Sequence, residues 1–455
     1  MVPARAAFLA VLLALALVSG AQANPHEFTL ANGLRLIVKE DHRAPTVVHQ
    51  VWYRAGSMDE SPGTTGVAHV LEHMMFKGTR RFGLGEFSRR VAEAGGRDNA
   101  FTSTDFTVYH EQLHRDRLPL AMQLEADRMA NLVIRPEDFA REIKVVMEER
   151  RRSYEDRPRS LLHENLLATA FAAHPYKWPT IGWMQDLESM SWRDAQAWYR
   201  QWYAPNNAII VVVGDVEPQK VLAWAGRYYG ALASKAIPAR KTLGEPVQRG
   251  LKRVMVKAPA ELPYVRLGYK APVLRDIAKD WEPFAISLLA ELLGGSDAAR
   301  LHQVLVRERR IATSVGADYE MVSRGPGMVF VEAAAAQGRS GAELEAGVRE
   351  VIARIAAAGV TAEELNRARV QLLAQLVYKR DSFFAQALEL GELEASGLSF
   401  RDADRLPERL KAITAEQVQA AAARYLVEDG LTVAVLDPQP LNPRPVSAAV
   451  PRVKH

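Results

Sequence analysis

The sequence contains two similar apolar runs, AIIVVVG at 208–214 and LTVAVLD at 431–437. A continuous apolar run of this length between turn residues predicts a buried strand. Each run closes a stretch in which strand-like alternation is mixed with amphipathic helical patterns. The recurrence predicts an α+β protein built from two halves that are related by duplication.

The first half opens with a hairpin pattern. Asn32 and Gly33 separate two apolar runs, which is the strongest short-range signal for a β-hairpin. Periodicity then predicts two further strands and two helices, with the strands at 47–57 and 100–113 and the helices at 66–76 and 85–96.

Apolar periodicity lapses between residues 237 and 250, where Pro, Gly and charged residues cluster. We place a domain boundary in this segment. The expected organisation has four parts, namely a leader at 1–23, an N-terminal domain at 24–240, a homologous C-terminal domain at 250–440 and a tail at 441–455.

The N-terminus has the pattern of a secretory signal peptide. Arg5 precedes an uncharged apolar run at 6–18, and Ala21 and Ala23 form an A-x-A cleavage motif. The run is shorter than the roughly 20 residues that a membrane-spanning helix needs, although an uncleaved anchor is the alternative. We expect cleavage after Ala23, export to the periplasm and no stable membrane span.

The composition excludes some classes of function and some kinds of metal site. With 48% hydrophobic and 25% charged residues the chain is globular, and a net charge of +4 without a dense Lys/Arg cluster gives no basis for nucleic-acid binding. The sequence has no cysteine, so a metal site must use histidine and carboxylate ligands.

The stretch HVLEH at 69–73 is the strongest candidate for such a site. On a helix His69 and His73 project from one face, and Glu72 can reach the same region. Two imidazoles and a carboxylate suit zinc, with one position left open for water. The alternative is an ordinary helix with two hydrogen-bonded histidines, so a third ligand is needed to decide.

Candidates for the third ligand lie in REIKVVMEERR at 141–151. Glu142 and Glu149 are seven residues apart and share a helix face, whereas Glu148 points elsewhere. A solvated charged face is the alternative interpretation. Chemistry alone does not choose among the three carboxylates.

These motifs resemble the pitrilysin/insulinase family of zinc peptidases, whose signature is H-x-x-E-H. Besides GTTGVAHVLEHMMFKGT, similar stretches follow the family's order along nearly all of the chain after the leader, namely GGRDNAFTSTDFTVYHEQL, REIKVVMEE, YAPNNAIIVVVGDV, LLGGSDAARLHQVLVRERR and TAEELNRARVQLL. The resemblance implies Zn²⁺ ligands at His69, His73 and Glu149. Glu72 would be the general base that activates water, and Glu142 would orient the site from behind the ligands.

The resemblance also implies an edge strand that binds peptide as an added strand, through Asn99, Ala100, Phe101 and Thr102. An ordinary sheet edge is the alternative. Active family members usually carry an Arg and a Tyr in the second half, in a pattern like L-R-E-K-R-G-L-A-Y.

Here the corresponding stretch is VRERRIATS at 306–314, which is one residue shorter. Arg307 fits the family pattern, but Thr313 falls where Tyr is expected. Either another donor such as Tyr319 serves, or a homologous partner supplies the Arg and the Tyr.

The family implies two homologous α/β-roll domains, each a mostly antiparallel sheet packed with helices, that form one half of a clamshell. The N-terminal domain would be the catalytic, zinc-binding one. A homodimer, or a heterodimer with a homologous subunit, would complete the chamber around the peptide. We expect a zinc-dependent endopeptidase that acts on peptides or unfolded segments. The alternatives are a non-catalytic or partner-dependent peptide-binding subunit and a metal-dependent hydrolase outside the family.

Overall fold

The computed structural model describes residues 24–241 and 243–441. The expected signal peptide at 1–23 therefore lies outside the described residues, as does the expected tail apart from its first residue. Within the described part of the chain, no helix is both long and apolar enough to cross a membrane.

The first half forms one sheet. Its strands are β1 (His26–Thr29), β2 (Arg35–Glu40), β3 (Thr46–Tyr53), β4 (Arg97–Thr102), β5 (Thr107–His114) and β6 (Ala208–Gly214). They lie in the order β1-β2-β6-β3-β5-β4, and every neighbouring pair is antiparallel except β2 and β6. The predicted hairpin is confirmed as β1 and β2, with the Asn-Gly turn between them.

The second half repeats this arrangement. Its strands are β7 (Lys252–Pro259), β8 (Tyr264–Ala271), β9 (Ala312–Tyr319), β10 (Gly327–Ala335) and β11 (Leu431–Gln439). Their order is β7-β11-β8-β10-β9, and only β7 and β11 are parallel. This order matches β2-β6-β3-β5-β4 of the first sheet. The predicted α+β fold with two homologous halves is thus confirmed, and the two apolar runs are the matching strands β6 and β11.

Helices connect these strands. In the first half they are α1 (Val67–Met74), α2 (Glu86–Glu93), α3 (Leu118–Asn131), α4 (Pro136–Arg150), α5 (Pro158–Ala170), α6 (Met184–Ser189), α7 (Trp192–Trp202) and α8 (Pro218–Tyr229). In the second half they are α9 (Glu282–Gly294), α10 (Gly341–Ala358), α11 (Ala362–Lys379), α12 (Phe383–Ala395), α13 (Leu406–Lys411) and α14 (Ala415–Tyr425). Two π-helical segments occupy Arg151–Glu155 and His302–Glu308.

Each half places one helix on the sheet of the other half. Helix α5 packs on the second sheet, where Leu162 and Leu166 join a cluster with Tyr264. Helix α12 packs on the first sheet, and its Gly391 lies so close to the ring of Trp52 that no side chain would fit. Both sheets are therefore covered on both faces, which explains the continuous apolar sequence of β6 and β11.

The segment predicted to contain the domain boundary, 237–250, falls between α8 and β7. The described residues of this connection form no helix or strand. The limits 24–240 and 250–440 remain a prediction. Because of the helix exchange, each of these segments carries a helix that completes the core of the other.

The pattern at 100–113, interpreted above as one strand, is two strands joined by a tight turn at 103–106. The Ser103 hydroxyl accepts hydrogen bonds from the N–H groups of Asp105 and Phe106, at 3.1 and 3.2 Å. The N–H of Ser103 donates to the carbonyl of Phe106 at 2.9 Å. The turn ends β4 and leaves it as the last strand of the first sheet.

Candidate metal centre

The helix that carries the HVLEH motif is fixed at its N-terminus. Gly66 precedes α1 with a φ of +88°, and a Cβ there would collide with the carbonyl oxygen of Ile181. The buried Glu60 carboxylate accepts hydrogen bonds from the N–H groups of Gly66 and Ala68, at 2.8 and 2.9 Å. Burial raises the pKa of Glu60, although these hydrogen bonds oppose the shift. The first amides of α1 thus have an acceptor, and the direction of the helix is set.

His69, His73 and Glu149 converge where α1 meets α4. One ligand atom from each side chain lies within 4.8 Å of the others, and no other such group occurs among the residues the structure describes. Nε2 of His73 is 3.4 Å from Oε2 of Glu149, and Nε2 of His69 is 3.9 Å from Oε1 of Glu149. Two imidazole nitrogens and one carboxylate are a donor set that fits zinc and leaves a coordination position open.

Glu142 lies behind His73 instead of facing His69. Its Oε1 is 2.9 Å from Nδ1 of His73, and its Oε2 accepts from Nζ of Lys77 at 2.6 Å. Glu148, the third carboxylate left open by the sequence, faces solvent, and its side chain is 49% exposed. Lys77 was not predicted; it lies beyond the end of α1 and reaches Glu142 only in the folded chain.

The charges of the cluster suit a cation. Burial alone would lower the pKa of His73, but its hydrogen bonds to Glu142 and Glu149 outweigh burial and raise that pKa to about 9. Burial, with the neighbouring His73, lowers the pKa of His69 to about 4. The hydrogen bond to His73 lowers the pKa of Glu149. At neutral pH His69 is therefore neutral and Glu149 is ionised, whereas His73 must release a proton before it can bind a metal.

Glu72 is buried beside the cluster and bonds to the edge strand. Its Oε2 accepts a hydrogen bond from the Thr102 hydroxyl at 2.5 Å, and Thr102 is the last residue of β4. Burial raises the pKa of Glu72, while the hydrogen bond from Thr102 acts against this shift. A carboxylate with a raised pKa holds a proton more readily than an exposed one, as a general base requires.

The four residues expected to bind peptide all lie on β4, namely Asn99, Ala100, Phe101 and Thr102. In the described part of the chain β4 pairs only with β5. The other side of its backbone is therefore a sheet edge that lies beside α1. The ring of Phe101 faces the core, where it contacts the rings of Trp52 and Phe106.

The second-half residues do not belong to the metal cluster. Arg307 is exposed in the π-helical segment His302–Glu308, and Thr313 is exposed near the start of β9. The hydroxyl of Tyr319, considered above as a substitute donor, is bonded to the carbonyl oxygen of Pro272.

Both halves of the chain are similar to known proteins. Residues 35–182 match the family described as Insulinase (Peptidase family M16), and residues 189–372 match the one described as Peptidase M16 inactive domain. The chain is 32% identical over 362 residues to the zinc protease PqqE of Helicobacter pylori, covering 78% of this chain and 80% of that protein.

Solved structures share the whole fold. A crystal structure of a protease from Helicobacter pylori has a TM-score of 0.86 and 27% identity, covering 91% of this chain and 100% of that one. The periplasmic protease PqqL from Escherichia coli has a TM-score of 0.78 and 19% identity, which shows the fold alone. That match covers 92% of this chain but 49% of the PqqL chain. By its sequence and its fold, this chain belongs to the insulinase family of zinc peptidases, peptidase family M16.

Proposed function

We propose that this chain is a zinc-dependent endopeptidase that hydrolyses peptides or unfolded segments. The observation that carries the proposal is the convergence of His69, His73 and Glu149 within 4.8 Å. Glu72 lies beside this group and bonds to the edge strand β4. The residues that we propose as metal ligands, as base and as peptide-binding edge therefore lie close together.

Zinc bound by the two histidines and Glu149 would polarise a carbonyl oxygen and lower the pKa of a water molecule towards neutrality. Among the chain's own residues, Glu72 acts as the general base. Its Oε2 is engaged by Thr102, so Oε1 is the oxygen that takes the proton from the attacking water. Glu72 then passes this proton to the departing amine. Glu142 holds Nδ1 of His73 and keeps Nε2 turned towards Glu149.

The substrate binds along Asn99, Ala100, Phe101 and Thr102 as an added strand. Main-chain hydrogen bonds supply the affinity in this mode, and only pockets for alternate side chains supply specificity. Broad sequence preference and a requirement for extended peptide follow. Folded proteins are poor substrates because their chains cannot pair with β4.

A second candidate function is a peptide-binding subunit that depends on a partner for activity. It is favoured by Thr313, which stands where active relatives carry Tyr, and by the description of the second matched domain as inactive. A homologous second subunit would then supply the Arg and the Tyr, because a second copy of this chain would also carry Thr313. The PqqL chain has about twice the length that this chain matches, in keeping with a pair of such units. We place the protein in the periplasm, since the expected signal peptide precedes residue 24 and PqqL is described as periplasmic.

The deciding experiment is hydrolysis of a fluorogenic peptide by the purified chain from Asn24 onward, with bound zinc quantified. The matched control is Glu72→Gln, which should retain zinc and lose activity. Hydrolysis that disappears in this variant supports a self-sufficient peptidase. A zinc-loaded wild type that is no more active than Glu72→Gln contradicts it and favours the partner-dependent subunit. Thr313→Tyr with a glycine inserted before Ile311 should then raise the activity of the isolated chain.

A further inference from the structure

A cluster of ionic contacts joins the second half of the chain to the turn that ends β4. Arg324 lies in the loop between β9 and β10, and its two Nη atoms bind the carboxylate of Asp59 at 2.8 and 3.1 Å. The N–H of Arg324 donates to the Asp105 carboxylate, and Nη1 of Arg324 donates to the Asp105 carbonyl oxygen, both at 2.7 Å. Tyr176 donates its hydroxyl to Asp105 and accepts the N–H of Gly325.

These contacts are shielded from solvent. The side chain of Arg324 is 14% exposed and that of Asp59 is 5% exposed. A guanidinium that binds a carboxylate with two nitrogens in such surroundings has a fixed orientation. Arg324 is therefore suited to hold the turn in one position.

The segment that carries Asp59 also packs directly on the turn. The N–H of Ser57 donates to the carbonyl of Ser103 at 3.1 Å, and the N–H of Met58 donates to the carbonyl of Thr104 at 2.9 Å. A Cβ at Gly56 would lie 2.6 Å from both of these carbonyl oxygens, so the two segments are in backbone contact. A displacement of Asp59 would move the turn with it.

The turn begins immediately after Thr102, whose hydroxyl is 2.5 Å from Oε2 of Glu72. We infer that Arg324 is a positioning residue, which acts from the second half of the chain to fix the Thr102 hydroxyl against the Glu72 carboxylate. The inference rests on the proposed function, because it gives Glu72 the part of the base. It assigns the second half a direct influence on the site in the first.

The chain offers a matched control. Arg35 of β2 donates to Glu394 of α12 at 2.6 Å and so joins the same two halves by another ion pair. In the first sheet β2 lies near the edge opposite β4. Arg35→Met therefore removes an arginine between the halves without affecting the turn at 103–106.

The first test is a double-mutant cycle on kcat, using Arg324→Met and Thr102→Val singly and together. Misplaced catalytic groups lose rate steeply, so Arg324→Met should lower kcat by about tenfold or more in the wild-type background. In the Thr102→Val background the same change should have little effect, since the hydroxyl it positions is gone. Equal losses in both backgrounds would overturn the inference, as would an unchanged kcat in Arg324→Met.

Zinc content and Tm are measured on the same proteins. Arg35→Met should keep kcat, although it should lower Tm about as much as Arg324→Met does. This comparison separates positioning from general stability. Should Arg324→Met fail to fold, Arg324→Lys replaces it, because lysine keeps the charge but cannot bind Asp59 with two nitrogens.

The second test does not depend on activity. Hydrogen–deuterium exchange should become faster at 100–106 in Arg324→Met but not in Arg35→Met, while α1 stays protected in both. Unchanged exchange at 100–106 would overturn the inference. If the wild type is no more active than Glu72→Gln, the proposed function fails, and exchange still decides whether Arg324 holds the turn.

Discussion

The two halves of the molecule differ at the helix that follows their equivalent strands β3 and β8. In the first half α1 carries His69, Glu72 and His73 among its apolar residues. In the second half α9 fills the corresponding place, and all of its buried residues are apolar. The same fold position can therefore be filled without burying a polar side chain.

This difference separates what the fold needs from what the site needs. Burying imidazoles and a carboxylate costs free energy that an apolar helix does not incur. Helix α9, which packs on the second sheet, shows that the equivalent helix position does not require them. The polar residues of α1 are best explained by the metal centre, and the predictions below test this division between the halves.

The largest effect is expected for Glu149, a proposed zinc ligand of the first half. Glu149→Gln removes the only anionic ligand of the cluster, so zinc affinity should fall by more than about 100-fold, beyond the range for residues behind the ligands. Competition with a chelating dye measures the affinity. Glu148→Gln on the same helix is the control and should bind zinc as the wild type does. Unchanged affinity in Glu149→Gln would remove Glu149 from the ligand set.

The second prediction compares the cores beneath the two helices. Leu289→Ala in α9 should lower the free energy of unfolding by about 3 kcal/mol, the usual effect of a cavity at a buried leucine. It should leave zinc affinity unchanged, whereas Leu71→Ala in α1 should reduce both quantities. Urea unfolding and zinc titration measure them. A Leu289→Ala variant that loses zinc affinity as strongly as Leu71→Ala would break the proposed division.

The third prediction concerns α5 and α12, the helices that each pack on the sheet of the other half. Glu164 of α5 binds both Nη atoms of Arg150, at 2.9 and 3.0 Å. Glu392 of α12 has a pKa raised from 4.5 to about 7, by burial and by the nearby Glu320. Its neutral form therefore stabilises the fold fully below pH 4.5, and this contribution is lost as the pH rises through 7.

Glu392→Gln keeps the shape of the neutral acid without its charge. At pH 8 it should raise the free energy of unfolding by about 2 kcal/mol, and at pH 4 it should change it little. Urea unfolding at the two pH values measures the difference. Glu164→Gln should instead destabilise at both, because it weakens the pairing of Arg150. A pH-independent effect in Glu392→Gln would contradict the assignment.

Local features of this structure could be predicted from the sequence. The spacing of His69 and His73 follows from helix periodicity alone, and the apolar runs at β6 and β11 follow from burial on both faces. The turn at 103–106 was missed because alternation continues through it. Only the short polar stretch Ser103–Asp105 indicates the reversal, and such a stretch also occurs on exposed strand faces.

Features that depend on distant parts of the chain could not be predicted. The sequences of α5 and α12 do not indicate that each helix covers the sheet of the other half. Arg324 is one arginine among many, and its role depends on Asp59 and Asp105, which lie more than 200 residues away. Helix periodicity grouped Glu142 with Glu149, but only the packing of α4 on α1 shows which of them faces both histidines.

The smallest effect is expected for Glu142. If the second half binds no metal, it needs no counterpart of this residue. Glu142→Gln keeps an acceptor for Nδ1 of His73 but loses the negative charge, so His73 becomes a weaker ligand. Zinc affinity should fall by about tenfold, the lower range for a residue behind a ligand.

The Glu142→Gln change also lowers the pKa of His73, which Glu142 helps to raise to about 9. Below that pH zinc must displace a proton from His73. Removing this proton costs less free energy in the variant, because the pKa of His73 is lower there. The loss of affinity should therefore be largest near pH 9 and smaller at pH 7, as zinc titrations at the two pH values would show. A loss that grows towards pH 7 would mean that Glu142 does not set the proton affinity of His73.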